Sequence, residues 1–195
     1  MHFLKIQPET IGFDFDGVIA DIGQTFLRIA CEKHGYCDFA LEDITSFHVE
    51  TCTVIPEDVV RSIFDTILAD SLATGLQPVP GALEVLEDLA GRARLTIITA
   101  RSLEEPVSDW LSHYLSAETC GKINLVAMSD HDRKVEYIRQ HRLLYFVDDR
   151  AETCAQVAAA ELTPLLYRQP WNSTWNDFIT VENWRHLADH LRVEE

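Results

Sequence analysis

No apolar run in the sequence approaches the length of a bilayer span, which excludes a transmembrane helix as its organising feature. There is no Cys-x-x-Cys pair. The five cysteines (Cys31, Cys37, Cys52, Cys120 and Cys154) are odd in number, so a disulfide framework is not expected. Cys31, His34 and Cys37 stand close together, but a structural zinc site needs a fourth ligand, and the two cysteines read as thiols on an amphipathic helix. His186 and His190 lack the glutamate that a zinc-protease motif places after its first histidine, and they read as a solvated helix face. Met1-His2-Phe3-Leu4-Lys5 does not show the basic-then-apolar pattern of a secretory signal, so the cytoplasm is the expected compartment. Basic clusters are missing too. With a formal charge of −16 the chain repels polyanions, which excludes nucleic acid polymer as a partner and leaves a small ligand. Repeats and low-complexity tracts are absent.

At 195 residues, 47% of them hydrophobic, the chain suits one domain, or a core with a modest insertion. Strand patterns recur at 11–14, 95–99, 123–128, 143–147 and 164–167, separated by helical patterns at 81–89, 103–115, 134–140 and 151–160. This alternation predicts an α/β fold, a doubly wound, mostly parallel Rossmann-like sheet covered on both faces. Residues 21–79 are the exception. They read as helices at 24–34 and 57–73, with a turn near 41–45 and Pro56 starting the later helix. The expected division is a core of 1–20 and 80–195 and a small helical cap of 21–79, inserted after the first strand.

The chemistry-bearing residues stand where strands end. Asp14 and Asp16 flank Phe15 at the end of the first strand, with Gly17 next. Side chains two apart on a strand share a face, so both carboxylates point to the crevice where open α/β sheets bind ligands. Like charges that close need a cation between them or a proton on one of them. A Ca²⁺-binding helix-loop-helix does not fit, because Val18 and Ile19 occupy ligand positions. Thr99 closes the second strand, Lys134 opens a helix, and Asp148-Asp149 closes the fourth strand. Nucleophile, metal carboxylates, hydroxyl and ammonium are together the inventory of phosphoryl transfer.

The order Asp-x-Asp-Gly-Val, strand-Thr, Lys, strand-Asp-Asp resembles the haloacid dehalogenase superfamily of Mg²⁺-dependent phosphatases. Within it, the chain is most similar to the 5'(3')-deoxyribonucleotidase family. That likeness lies in Gly17-Val18-Ile19-Ala20-Asp21, Leu41-Glu42-Asp43, Phe47-His48-Val49, Pro78-Val79-Pro80-Gly81-Ala82-Leu83, Asp109-Trp110-Leu111 and Val147-Asp148-Asp149-Arg150. The resemblance implies Asp14 as nucleophile and Asp16 as acid and base. Mg²⁺ would be held by Asp14, the backbone carbonyl of Asp16, and one of Asp148 and Asp149, with Asp149 slightly favoured as the direct ligand. Thr99 and the N–H of Ala100 would hold phosphoryl oxygens, Ala100 standing where many members carry Ser. Lys134 would neutralise charge on Asp14 and phosphate, and Arg101 would approach substrate. Phe47, His48 and Val49 would line the nucleoside pocket, with His48 in place of a Trp and Ile22 in place of a stacking Phe. Trp171 and Asn172 read as packing residues and Arg150 as a partner of acidic neighbours. The implied activity is phosphomonoester hydrolysis of nucleoside monophosphates. Another small phosphoester, a phosphosugar or phosphoglycolate, is the alternative substrate, and a non-catalytic phospho-ligand sensor the alternative class.

Overall fold

The computed structural model of the chain describes residues 5–129 and 133–191. Asp130, His131 and Asp132, which precede Arg133 and Lys134 in the sequence, lie outside the described residues, as do the chain's first four and last four. Six strands form one sheet: β1 (Ile11–Phe13), β2 (Leu95–Thr99), β3 (Ile123–Ala127), β4 (Tyr145–Asp148), β5 (Thr163–Tyr167) and β6 (Ile179–Val181). All pairs are parallel and the order is β3-β2-β1-β4-β5-β6. A parallel sheet needs cover on both faces, which is why β1 is apolar at every non-glycine position and wholly buried. The chain winds outward from β1 to β3, then restarts at β4 on the other side of β1. The seam between β1 and β4 is therefore the switch point, where an open α/β sheet forms its ligand crevice. Phe13 pairs with Val147 across that seam, and the Asp14 N–H donates to the Val147 carbonyl at 2.9 Å.

Helices α1 (Ile22–His34) and α2 (Glu57–Ala69) belong to the segment between β1 and β2. They are followed by α3 (Ala82–Ala90), α4 (Glu105–Tyr114), α5 (Ala117–Cys120), α6 (Lys134–Gln140), α7 (Ala151–Ala159) and α8 (Trp184–Leu191). Asp21 caps α1 by accepting from the Gln24 N–H, and Gly35 ends it in the left-handed conformation (φ 78°). α1 and α2 face each other through stacked Phe26 and Phe64 rings, 4.9 Å apart. One continuous apolar cluster joins Phe13 of the central strand β1 and Phe15 to Val60 and Ile63 on α2. Trp184 of α8 stacks on Phe13 at 5.5 Å and donates to the Val18 carbonyl, which ties the C-terminal helix to the loop after β1.

Several expectations change. α2 stops at Ala69 instead of 73, because Asp70 turns extended and its carboxylate takes the Ala73 N–H at 2.9 Å. β6 and α5 carried no periodic signal, being three and four residues long. Cys31 and Cys37 are not thiols. They form a disulfide, because the turn that Gly35 makes after α1 brings the chain back on itself. His190 is buried, not on a solvated face; burial and the neighbouring His186 lower its pKa below the usual histidine value. Among the described residues no helix is long and apolar enough to cross a membrane.

Candidate active site

The carboxyl ends of β1, β2 and β4 and the start of α6 meet at the switch point. Asp14, Asp148 and Asp149 come together there, with one carboxylate oxygen of each within 4.8 Å of the others, and all three are buried. Lys134, fully buried, places Nζ 3.0 Å from Asp14 Oδ1 and 2.8 Å from Asp148 Oδ2. Asp148 spends its other oxygen on the Arg150 N–H at 2.9 Å. Asp149 accepts from the Trp171 indole N–H through Oδ2 at 2.8 Å. Gly17 adopts φ 74°, and a side chain there would collide with the Asp149 carboxylate, so this loop needs glycine twice over.

Burial pushes Asp14 up to about 7; the Lys134 ammonium opposes that shift, and the charges of Asp148 and Asp16 add to it. Burial, then the charges of Asp148 and Asp14, raise Asp149 well above the usual carboxylate range. For Lys134 burial pulls downward, but Asp14 and Asp148 outweigh it and hold the ammonium's pKa raised. Were all three carboxylates ionised, the one ammonium would leave two negative charges uncompensated in this buried site. A hard divalent cation matches that deficit in charge and in its preference for oxygen. The donor set therefore fits Mg²⁺.

Beside this cluster opens a cavity of about 380 Å³. Asp14, Asp16, Thr99, Ala100, Arg101 and Asp149 form its floor, all from strand ends or the loops that follow them. Phe47, His48 and Val49 are on its wall, together with Ile22. His48 is largely exposed, edge-on to Phe47 and 3.6 Å from Glu50, whereas Val49 is buried. Thr99 is buried, and its hydroxyl accepts from the Arg101 N–H at 3.3 Å. Arg101 reaches the cavity wall, but its guanidinium is taken up by Asp16 and Ser71.

Other wall residues gave no signal. Phe26, Val60, Arg61 and Phe64 come from the facing sides of α1 and α2, where their spacing looks like that of any core-facing helix. Trp171 is not a packing residue only: it lines the cavity and holds Asp149. Asn172 backs it by donating to the Asp149 and Tyr167 carbonyls, and Gln169 donates to the Gly17 carbonyl. Arg150 does approach Glu152, at 3.6 Å, but its guanidinium also lies 5.1 Å from the centre of the Phe47 ring, in the wall.

The model of the family described as 5' nucleotidase, deoxy (pyrimidine), cytosolic type C protein matches residues 8–194. No curated protein sequence matches the chain. Solved structures share the fold at low identity. A haloacid dehalogenase-like hydrolase from Streptococcus pneumoniae superposes with a TM-score of 0.59 at 17% identity, over 91% of this chain and 96% of its own. A predicted phosphoglycolate phosphatase from Haemophilus somnus gives 0.60 at 15%, over 98% and 100%. A haloacid dehalogenase-superfamily hydrolase from Geobacter sulfurreducens gives 0.56 at 18%, over 93% and 95%.

Proposed function

The chain belongs to the family of deoxy (pyrimidine) 5'-nucleotidases of cytosolic type C, within the haloacid dehalogenase-like phosphatases, and we propose that it hydrolyses nucleoside monophosphates, deoxy forms preferred. As a member it is a phosphoric monoester hydrolase. One observation carries the substrate reading: an aromatic-walled cavity opens directly onto a buried, cation-deficient carboxylate cluster. A small phosphate ester can place phosphorus at the cluster and an apolar leaving group against Phe47, Phe26 and Phe64.

In this mechanism Asp14 attacks phosphorus, the ester P–O bond breaks, and its electron pair goes to the leaving oxygen. Asp16 supplies the proton that oxygen needs. Asp16 then removes a proton from the water that attacks the aspartyl-phosphate, which frees Asp14 and inorganic phosphate. Thr99, the Ala100 N–H and Lys134 hold phosphoryl oxygens, and Lys134 also opposes protonation of Asp14. Asp14, Asp149 and the Asp16 backbone carbonyl would hold Mg²⁺, which when bound supplies positive charge to the phosphoryl oxygens. Asp148 is the less suited direct ligand because both of its oxygens are already engaged by Lys134 and the Arg150 N–H. Residues 21–79 act as the cap over this floor, with 1–20 and 80–195 as the core. The cytosol is the proposed compartment, as in the family's description.

A phosphate-release assay over deoxy- and ribonucleotides, sugar phosphates and phosphoglycolate, with Mg²⁺ and with chelator, tests the reading. Deoxynucleotides are expected to be cleaved fastest and chelator to stop release. Faster cleavage of a phosphosugar, or full activity in chelator, overturns it.

A further inference from the structure

Arg101 lines the cavity floor, yet its charged group is turned to protein partners. Its side chain is 3% exposed. Nε donates to Asp16 Oδ2 at 2.8 Å and Nη2 to Asp16 Oδ1 at 2.6 Å, a two-pronged clasp that fixes both the position and the plane of the carboxyl. Nη1 donates to the Ser71 hydroxyl at 2.6 Å. The guanidinium carbon lies 5.0 Å from the centre of the buried Phe15 ring. Ser71 is itself buried, and its hydroxyl donates to the Ile67 carbonyl of α2 at 3.2 Å. A chain of contacts thus runs from α2 through Ser71 and Arg101 to Asp16. With its three nitrogens turned to these partners, Arg101 is poorly placed to grip a phosphoryl group.

We infer that Arg101 and Ser71 are positioning residues. They hold the Asp16 carboxyl where the leaving oxygen departs, and they make that placement depend on the seating of α2. The inference rests on the role given to Asp16 above. The Asp16 side chain is 22% exposed, and among the described residues its carboxyl accepts hydrogen bonds from Arg101, through both oxygens. When Asp16 carries the proton it must deliver, one bond of the clasp has to give way. Ser71 and the Phe15 ring then keep Arg101 in place, so that the carboxyl stays within reach.

The leaving group separates this role from a merely structural one. An alkoxide leaving from a nucleotide or sugar phosphate needs a proton; p-nitrophenolate, a far weaker base, does not. kcat/KM reports only the steps up to departure of the leaving group, so water attack on the aspartyl-phosphate does not enter it. For Arg101→Lys the expected loss in kcat/KM on a deoxynucleotide is about 100-fold, in the range that general acid catalysis supplies, with less than about threefold on p-nitrophenyl phosphate. Ser71→Ala, which removes a single hydroxyl, is expected to show the same selectivity with a smaller loss. Competitive inhibition by inorganic phosphate should match the parent in both variants. Equal losses on the two esters, weakened inhibition by phosphate, or no loss on either overturns the inference. If Arg101→Lys does not fold, Ser71→Ala decides the matter alone. If the parent cleaves sugar phosphates but no nucleotide, the substrate reading fails, and the comparison is made with the sugar phosphate, whose leaving group is equally basic. A parent that cleaves none of these esters overturns both.

Discussion

The floor of the cavity and its helical roof are built by different physics. In the floor each ionic group has an assigned partner at hydrogen-bond distance: Lys134 with Asp14 and Asp148, Arg101 with Asp16, Trp171 with Asp149. In the roof Phe26, Phe47, Val60 and Phe64 give the cavity an apolar and aromatic wall, and the ion pairs, Arg61 with Glu57 (which also line the cavity) and Arg28 with Glu32, are exposed to solvent. Exposed pairs of that kind contribute little to stability, about 0–1 kcal/mol. A buried one broken on one side costs about 3–5 kcal/mol. Changes in the floor should therefore alter the reaction itself, and changes in the roof should alter which ester is accepted.

The floor's most severe test is Asp14→Asn. An amide cannot act as this nucleophile, so phosphate release should fall to background on every ester while the circular dichroism spectrum stays native. Near-parent kcat would remove Asp14 from its role. Lys134→Met comes next. Loss of an electrostatic contact to the developing charge should lower kcat/KM by ~3 kcal/mol for nucleotides and p-nitrophenyl phosphate alike. Because the variant also leaves Asp14 and Asp148 buried without their cation, its melting temperature in chelator should drop. A loss smaller than about tenfold, or ~1.4 kcal/mol, would make the ion pairs structural only.

In the roof, Phe47→Ala should raise KM for nucleotides by roughly tenfold, the lower part of the ~1–3 kcal/mol that a stacked base contributes, and leave p-nitrophenyl phosphate nearly unaffected. An equal effect on both esters would erase the distinction between roof and floor.

The smallest expected effect concerns pH. The folded chain without metal holds a proton on Asp14 up to about pH 7, whereas the unfolded chain gives it up near 3.8. A folded pKa raised in this way contributes stability that is complete below 3.8 and lost as pH rises towards 7; Asp149 shifts in the same direction. In chelator the melting temperature should thus fall across that window. Added Mg²⁺ should offset the fall, so the gain in melting temperature on adding Mg²⁺ should grow with pH between about 4 and 7. A gain independent of pH would mean that the metal does not engage these carboxylates.

The floor was the legible half because its residues sit in short contiguous motifs at strand ends. A strand buried on both faces announces itself as an apolar run, and the first polar residue beyond it must emerge at the sheet's edge. That logic located Asp14, Thr99 and Asp148 without coordinates. The helices of the roof offered no such signal, since a phenylalanine facing a cavity and one facing the core have the same spacing along a helix, as Phe26 and Phe64 show. Trp171 gives no signal for a related reason: it follows β5 in a single 3-10 turn (Pro170–Asn172), where nothing local distinguishes a packing indole from one that holds a carboxylate. The disulfide escaped notice because Cys31 lies in a helix, and only the left-handed turn at Gly35 carries Cys37 back to it.

By itself the sequence determined the alternation of strands and helices, the parallel sheet, and the carboxylates, hydroxyl and ammonium that stand at strand ends and at a helix start. These follow from hydrophobic period and from the position of polar residues at the ends of buried strands, which are local properties of the chain. Only the tertiary structure decided which protein donors engage each carboxylate, where the Arg101 guanidinium is spent, and which helix faces wall the cavity. Those outcomes depend on contacts between residues far apart in sequence: Lys134 and Asp148, Asp16 and Arg101, Ser71 and Arg101. Each partner is chosen by how the elements settle over the switch point, and no local pattern encodes that choice.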